Sequence, residues 1–198
     1  MEALPVYLIL GYLIGSLPFA VIVSKAFGLA DPRSFGSGNP GATNVLRTGN
    51  KLAAAMTLIG DAAKSWVAML VTAKVGADGT ATALAGFAAF LGHLFPVFLK
   101  FKGGKGVATA VGVLIGLDGW LALGATVVWL VTALVTRYSS LAALTAAAAA
   151  PALAFWLHGP VASTQLVLLM CLLLVWRHKE NIKRLLAGTE GRLARKKA

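Results

Sequence analysis

Leu4-Pro-Val-Tyr-Leu-Ile-Leu-Gly-Tyr-Leu-Ile-Gly-Ser-Leu-Pro-Phe-Ala-Val-Ile-Val23 carries no charged side chain. Such a run meets the roughly 20-residue length that a helix needs to cross a hydrocarbon core. It does not read as a cleaved leader, because Glu2 stands where a basic segment belongs and many more apolar runs follow. Composition agrees with a membrane-spanning chain: 58% of residues are hydrophobic, 13% are charged and the mean hydropathy is +0.80. The apolar segments fall at about 3–24, 52–75, 81–99, 106–117, 119–136, 140–157 and 160–176. The expected fold is therefore all-α, a single polytopic membrane domain over residues 1–198 with about seven transmembrane helices. The 106–117 segment is the weak one. At 1.5 Å per residue it reaches only about 18 Å of a ~30 Å core, so it reads as a short, partial or re-entrant element shielded from lipid by its neighbours.

Basic residues set the orientation. Sixteen of the eighteen lysines and arginines fall on one side, in loops at about 25–51, 100–105 and 137–140 and in the tail 177–198. Lys74 falls on the other side with Glu2, Asp78 and Asp118, and Lys64 lies inside a span. The expectation is an outer amino terminus and a cytoplasmic carboxyl terminus. The net charge of +11 then follows from topology and attraction to anionic headgroups, with no nucleic-acid partner implied. The tail reads as a short basic surface helix whose last residues, Arg192–Ala198, fray. The lone Cys171 lies in an apolar run, which leaves no disulfide framework or cysteine metal site within one chain.

The candidate chemistry lies in the basic loops. Ser34-Phe-Gly-Ser-Gly-Asn-Pro-Gly-Ala-Thr-Asn-Val-Leu-Arg47 gathers Ser34, Ser37, Asn39, Thr43 and Asn44 around Gly38, Gly41 and Ala42, and ends on Arg47. Its glycines allow successive N–H groups to form an anion-binding nest, and Arg47 can hold two phosphate oxygens. The run from Gly41 is expected to lead directly into the second span, whose helix N-terminus would favour an anion. Lys100-Phe-Lys-Gly-Gly-Lys-Gly106 repeats the theme with Gly103, Gly104, Lys105 and Gly106. It is not a Walker A loop, since Leu99 occupies the first glycine position and Gly106 follows the lysine. Lys105, at the start of a half-helix, is the better phosphate ligand of that loop.

His93 falls about two helical turns before this second loop, near enough to reach the same site. His178 and Asn181 share a helix face. Arg137, Tyr138, Ser139 and Ser140 form a further short turn, and His158 reads as a solvated outer residue. Asp61 and Lys64 sit three apart inside a span and read as a mutually neutralising pair that buttresses the first loop. The chain lacks a Gly-x-Ser-x-Gly elbow, a His-Glu-x-x-His zinc pair and a His-x4-Asp acyltransferase motif. An enzyme built this way relies on cationic positioning, with no metal and no cofactor.

Three motifs in order resemble one family: Ser37-Gly-Asn-x-Gly-Ala-Thr-Asn-Val-Leu-Arg47, Gly92-His-x-x-Pro-Val-Phe-x-x-Phe-Lys-Gly-Gly-Lys-Gly-Val-Ala-Thr109 and Arg177-His-x-x-Asn-Ile-x-Arg-Leu185. They are similar to the bacterial acyl-phosphate:glycerol-3-phosphate acyltransferases, the PlsY family, from Gly15 to about Gly188. Ser65, directly after the Asp61-x-x-Lys64 feature, stands where that family leads one to expect glycine. The resemblance implies transfer of a fatty acyl group from acyl phosphate to the 1-hydroxyl of glycerol 3-phosphate, giving lysophosphatidic acid and phosphate at the entry to phospholipid synthesis.

It implies essential roles for Ser37 and Arg47, glycerol 3-phosphate binding by the 103–106 loop, support of activity by His178 and Asn181, and a structural role for Glu180. Beside it, the residues themselves suggest that Arg47 and Lys105 hold phosphate oxygens, with Ser37, Thr43 and Asn44 completing the cradle and Arg137, Ser140 and His93 at its margin. A soluble enzyme that supplies acyl phosphate is an expected transient partner, and the bacterial inner membrane is the expected location. The alternative is a small-anion or lipid-headgroup transporter, for which a broken fourth helix would also be apt.

Overall fold

The computed structural model describes residues 3–193. Among these the regular structure is helical, and the chain divides into two compact units at Leu117 and Asp118.

In the first unit the opening apolar run is two helices, α1 (Leu4–Gly15) and α2 (Phe19–Ala26), and not the single helix expected over 3–24. Pro18 lacks an N–H and its ring conflicts with a continued helix, so the chain breaks at Leu17–Pro18. A long polar loop follows, then the five-residue α3 (Ala42–Leu46) and the long α4 (Lys51–Lys74). The helix that starts after Gly41 is thus separate from the second span, contrary to expectation. Gly49 turns the chain at φ +85°, and Asn50 caps α4 by accepting from the Ala53 N–H at 2.9 Å. Asp78 caps α5 (Gly79–Leu94) in the same way. A 3₁₀ turn (Val97–Leu99) and the glycine-rich loop then lead into α6 (Val107–Leu117).

Small residues set the packing of this unit. Gly11 lies against Ala85, Gly15 against Ala89 and Gly92 against Tyr12, so a Cβ at any of the three would strike backbone of the facing helix. Helices α1 and α5 therefore approach closely, as membrane helices do when side chains do not hold them apart. Between α4 and α6, Ser65 Oγ donates to the Thr109 carbonyl at 2.7 Å. Where glycine was expected, the serine adds a buried hydrogen bond between these two helices.

The second unit holds α7 (Gly119–Thr136), α8 (Ser139–His158), α9 (Ala162–Arg177) and α10 (Lys179–Leu186). The alanine-rich stretch is the inner face of α8, where Ala142, Ala143, Ala147, Ala150 and Ala154 are buried. His158, expected to be merely solvated, lies 3.3 Å from the carboxylate of Asp118, the residue that caps α7.

Among the described residues, five segments are long and apolar enough to cross a membrane: Leu4–Ala26, Lys51–Lys74, Gly79–Leu99, Gly119–Thr136 and Ser139–His158. The expectation of about seven spans with one short element is corrected in one respect. Besides α6, α9 also falls short, because its 16 residues start only after the Gly159–Val161 turn. The tail departs from expectation too. Leu193 N–H donates to the Arg137 carbonyl at 2.7 Å, and Arg192 donates to Tyr138 Oη at 3.1 Å with its guanidinium over the ring. Arg192 and Leu193 are thus held and do not fray. The rest of that expected segment, 194–198, lies outside the described residues.

The packing predicts a contrast between two glycines. Gly15→Leu should destabilise the protein by about 1–3 kcal/mol or more through overpacking. Gly79→Ala, where a Cβ meets open space, should stay within about 1 kcal/mol of the parent. Thermal unfolding of both variants in one detergent checks this.

Candidate active site

The first loop is organised by Asn44. This side chain is buried, and its amide is committed to the loop: Nδ2 donates to the carbonyls of Pro32 at 2.6 Å and Phe35 at 3.1 Å. Oδ1 accepts from the Ser37 N–H at 3.1 Å and from Arg47 Nη1 at 3.3 Å. Gly36 passes directly over this amide with φ +59°, and a Cβ there would overlap Asn44 Oδ1. Asn44 therefore fixes the two residues expected to act, Ser37 and Arg47, which are both exposed.

Neighbouring groups are spent locally in the same way. Ser34 Oγ donates to the Asp31 carbonyl at 2.8 Å. Arg33 pairs with Asp31, whose carboxyl it holds below the usual range chiefly by side-chain hydrogen bonding. Gly38 sits at φ +65° with its N–H on the Phe35 carbonyl, and the Gly41 N–H reaches the Asn39 carbonyl. Ala42 and Thr43 open the short α3, with Thr43 exposed.

The second loop folds onto His93. Lys100 and Phe101 are both left-handed, at φ 51° and 61°, which reverses the chain after the 3₁₀ turn. Non-glycine residues rarely hold that conformation, and two in succession mark a segment dictated by its surroundings. Gly103 and Gly104 are buried against His93. The Gly104 N–H donates to the His93 carbonyl at 3.1 Å, and a Cβ at Gly104 would overlap the imidazole. Gly106, at φ +86°, lies on Phe90 and Leu94. Lys105 is half-buried, and Lys100 and Lys102 are exposed.

Beneath the loop, Lys64 Nζ lies 2.9 Å from Asp61 Oδ1, 3.0 Å from the Leu17 carbonyl and 2.8 Å from His93 Nδ1. Asp61 and Lys64 do form the expected neutral pair, but the pair buttresses the second loop through His93. A small cavity is lined by Leu17 and Pro18, by Pro40 of the first loop, by Asp61, Lys64 and His93, and by Gly103 and Gly104 of the second. Pro40 thus brings the first loop to the edge of the cavity that the second loop lines through Gly103 and Gly104, while Ser37, Arg47 and Lys105 do not line it.

In the second unit the third motif is gathered on a residue the sequence reading missed. Glu190 accepts from Ser140 Oγ at 2.6 Å, Asn181 Nδ2 at 2.6 Å and Arg184 Nε at 2.7 Å. Its carboxylate is only 8% exposed. Burial opposes its ionisation, but the hydrogen bonds from Ser140, Asn181 and Arg184, with the charge of Arg184, outweigh that and hold the carboxyl below its ordinary 4.5. Glu180, given a structural role by the resemblance, is exposed and pairs with Lys183 at 3.3 Å.

His178 is buried, and its Nδ1 donates to the Leu174 carbonyl at 2.8 Å, so the neutral ring keeps its lone pair on Nε2. Arg137 Nη2 donates to the Leu193 carbonyl at 3.3 Å. The signal for Glu190 was its place as one of two acids in a basic tail, just past the left-handed Gly188. Among the described residues no three of His, Cys, Asp and Glu are grouped as a metal would need.

Residues 5–188 match the family model described as glycerol-3-phosphate acyltransferase. The chain belongs to this family. A glycerol-3-phosphate acyltransferase of Laribacter hongkongensis is 59% identical over 194 residues, covering 96% of each chain. One from Dechloromonas aromatica is 55% identical over 190 residues, again covering 96% of each. Among solved structures, the chain is similar to PlsY, an integral membrane glycerol 3-phosphate acyltransferase. With its glycerol 3-phosphate form the TM-score is 0.90 at 39% identity, covering 97% of this chain and 96% of that one. With its lysophosphatidic acid form the TM-score is 0.88 at 38% identity, covering 96% and 95%. Membership in this family removes the ground for the transporter alternative.

The Glu190 network gives a pH prediction. A carboxyl whose folded pKa is depressed stabilises the fold fully above its ordinary value, and loses that contribution as pH falls through the lower, folded value. The stability gap between the parent and Glu190→Gln should therefore be widest above about pH 5 and close below it. Unfolding temperatures of the two proteins across that range check the sign.

Proposed function

We propose that this protein transfers a fatty acyl group from acyl phosphate to the 1-hydroxyl of glycerol 3-phosphate, releasing lysophosphatidic acid and inorganic phosphate. It acts at the cytoplasmic face of the bacterial inner membrane, the side to which sixteen of its eighteen basic residues belong. In this reading the amino terminus lies outside and the carboxyl terminus inside. The observation that carries it is the family match over residues 5–188 together with a small cavity lined by Pro40 of the first motif and by His93, Gly103 and Gly104 of the second, His93 being buried and tied to Lys64. Both substrates present phosphate, which accounts for two cationic, glycine-rich loops.

The reaction needs little from the protein beyond positioning. The substrate hydroxyl oxygen attacks the acyl carbon, the bond from that carbon to the phosphate oxygen breaks, and phosphate departs with the electron pair. A mixed anhydride is already activated, so no ATP, metal or enzyme nucleophile is called for. Arg47, steadied by one hydrogen bond to Asn44, offers the rest of its guanidinium to phosphate oxygens. Lys105 adds a second cation, and Ser37 with the loop N–H groups orients the carbonyl. The hydroxyl proton passes to a substrate phosphate, itself a base of suitable strength near neutral pH. His178 and Asn181 of the third motif support activity. A soluble enzyme that makes acyl phosphate delivers the donor, whose acyl chain stays in the lipid.

The test is purified protein in lipid with palmitoyl phosphate and glycerol 3-phosphate, without ATP, coenzyme A or metal. Phosphate and lysophosphatidic acid should appear only when both substrates are present. A charged hydrogen bond contributes roughly 1.5–3 kcal/mol, so Arg47→Ala should lower kcat/KM by about ten- to a hundredfold. Product formation from palmitoyl-CoA alone would mean that the donor is wrong. Arg47→Ala activity within about threefold of the parent would remove Arg47 from its role.

A further inference from the structure

We infer that Lys64 is a positioning residue that sets the tautomer of His93 and, through His93, the shape of the glycine loop that receives the phosphate substrate. An ammonium has three protons and no lone pair, and Lys64 Nζ has three acceptors around it: Asp61 Oδ1 at 2.9 Å, the Leu17 carbonyl at 3.0 Å and His93 Nδ1 at 2.8 Å. Lys64 and Asp61 have 2% and 4% exposed side chains, so little water competes for these bonds. Since the ammonium can only donate, Nδ1 of His93 must accept, and the ring proton belongs on Nε2. Nε2 is the ring atom nearest the place where a Cβ on Gly104 would sit. The His93 carbonyl takes the Gly104 N–H from the same side. One residue thus holds the loop twice, through its backbone and through the ring beneath it.

The third acceptor explains where Lys64 comes to rest. The helix break at Leu17–Pro18 turns the Leu17 carbonyl towards α4, and Lys64 ties that break to the imidazole. Asp61 and Lys64, both from α4, face Nδ1 of His93. Asp61 Oδ1 is 3.4 Å from Nδ1 and 2.9 Å from Lys64 Nζ, which makes it the counter-ion of the ammonium. Intramembrane charges are kept at a cost, and holding a loop to sub-ångström tolerance is a function that warrants it.

This inference rests on the proposed acyl transfer for its kinetic consequence, but not for its structural one. The structural test is ¹⁵N NMR of the full chain, ¹⁵N-labelled at its three histidines, in lipid nanodiscs. His93→Asn assigns the signal by its disappearance. The expected result is a neutral His93 ring with the proton on Nε2 and Nδ1 shifted by an accepted hydrogen bond. An imidazolium, or a ring with the proton on Nδ1, overturns the inference whatever the activity.

The kinetic arm compares Lys64→Met, His93→Leu and His93→Asn with the parent. Asparagine places an acceptor oxygen where Nδ1 was, whereas leucine does not. Lys64→Met and His93→Leu should each raise KM for glycerol 3-phosphate by about tenfold with KM for acyl phosphate within about threefold, and His93→Asn should recover most of that loss. Equal loss on both substrates, or no difference between His93→Asn and His93→Leu, contradicts a positioning role. If the parent makes no lysophosphatidic acid, the acyl-transfer reading fails while the NMR result still stands.

Discussion

The four hydrogen bonds of the Asn44 amide are the constraint on which the candidate site depends. A phosphate cradle made of serine, glycine and backbone N–H groups has no preferred shape of its own, because glycine gives up more conformational freedom on ordering than any other residue. Asn44 supplies the shape by joining Pro32, Phe35, Ser37 and Arg47 through one buried side chain. Lys64 does the same beneath the second loop, and Glu190 does so for the third motif. Each hub is buried and multiply bonded, whereas Ser37 and Arg47 around the first are exposed. An unmet donor or acceptor in such a place costs about 1–3 kcal/mol, which is why these hubs are fully engaged.

The helices serve this arrangement. Glycine and alanine contacts bring α1 against α5, which carries the His93 carbonyl to the glycine loop. The break at Pro18 sacrifices helix continuity and supplies the carbonyl that Lys64 binds. Rigidity thus lies in the buried polar groups, and the proposed reaction leaves the chemistry to an activated donor. That division suits a reaction in which positioning and charge stabilisation can supply most of the acceleration.

Much of this was legible in the sequence. Hydropathy located the apolar segments, and the loops advertised phosphate through their glycines and cations. The short 106–117 element also emerged as α6. What hydropathy could not register was local geometry within an apolar stretch. The Pro18 break and the shortness of α9 depend on turn chemistry that a window of hydrophobicity averages away. The roles of buried polar residues were harder still. Nothing in the motif announced that the Asn44 amide binds four groups of its own loop; Asp61 and Lys64 looked like support for the first loop and support the second. Glu180 and Glu190 lie ten positions apart in one basic tail, and only the fold-back of residues 189–193 onto Arg137 and Tyr138 distinguishes the exposed acid from the buried one.

The central claim is that these hubs shape the phosphate loops before any substrate arrives. Hydrogen exchange on the substrate-free protein in lipid tests it most directly, read at the amides of Ser37 and Gly104. The account predicts that both are protected without substrate, because the Asn44 side chain and the His93 carbonyl already hold them. Exchange at the rate of an open loop, with protection appearing only on addition of glycerol 3-phosphate, would mean that the substrate orders the cradle and would contradict it.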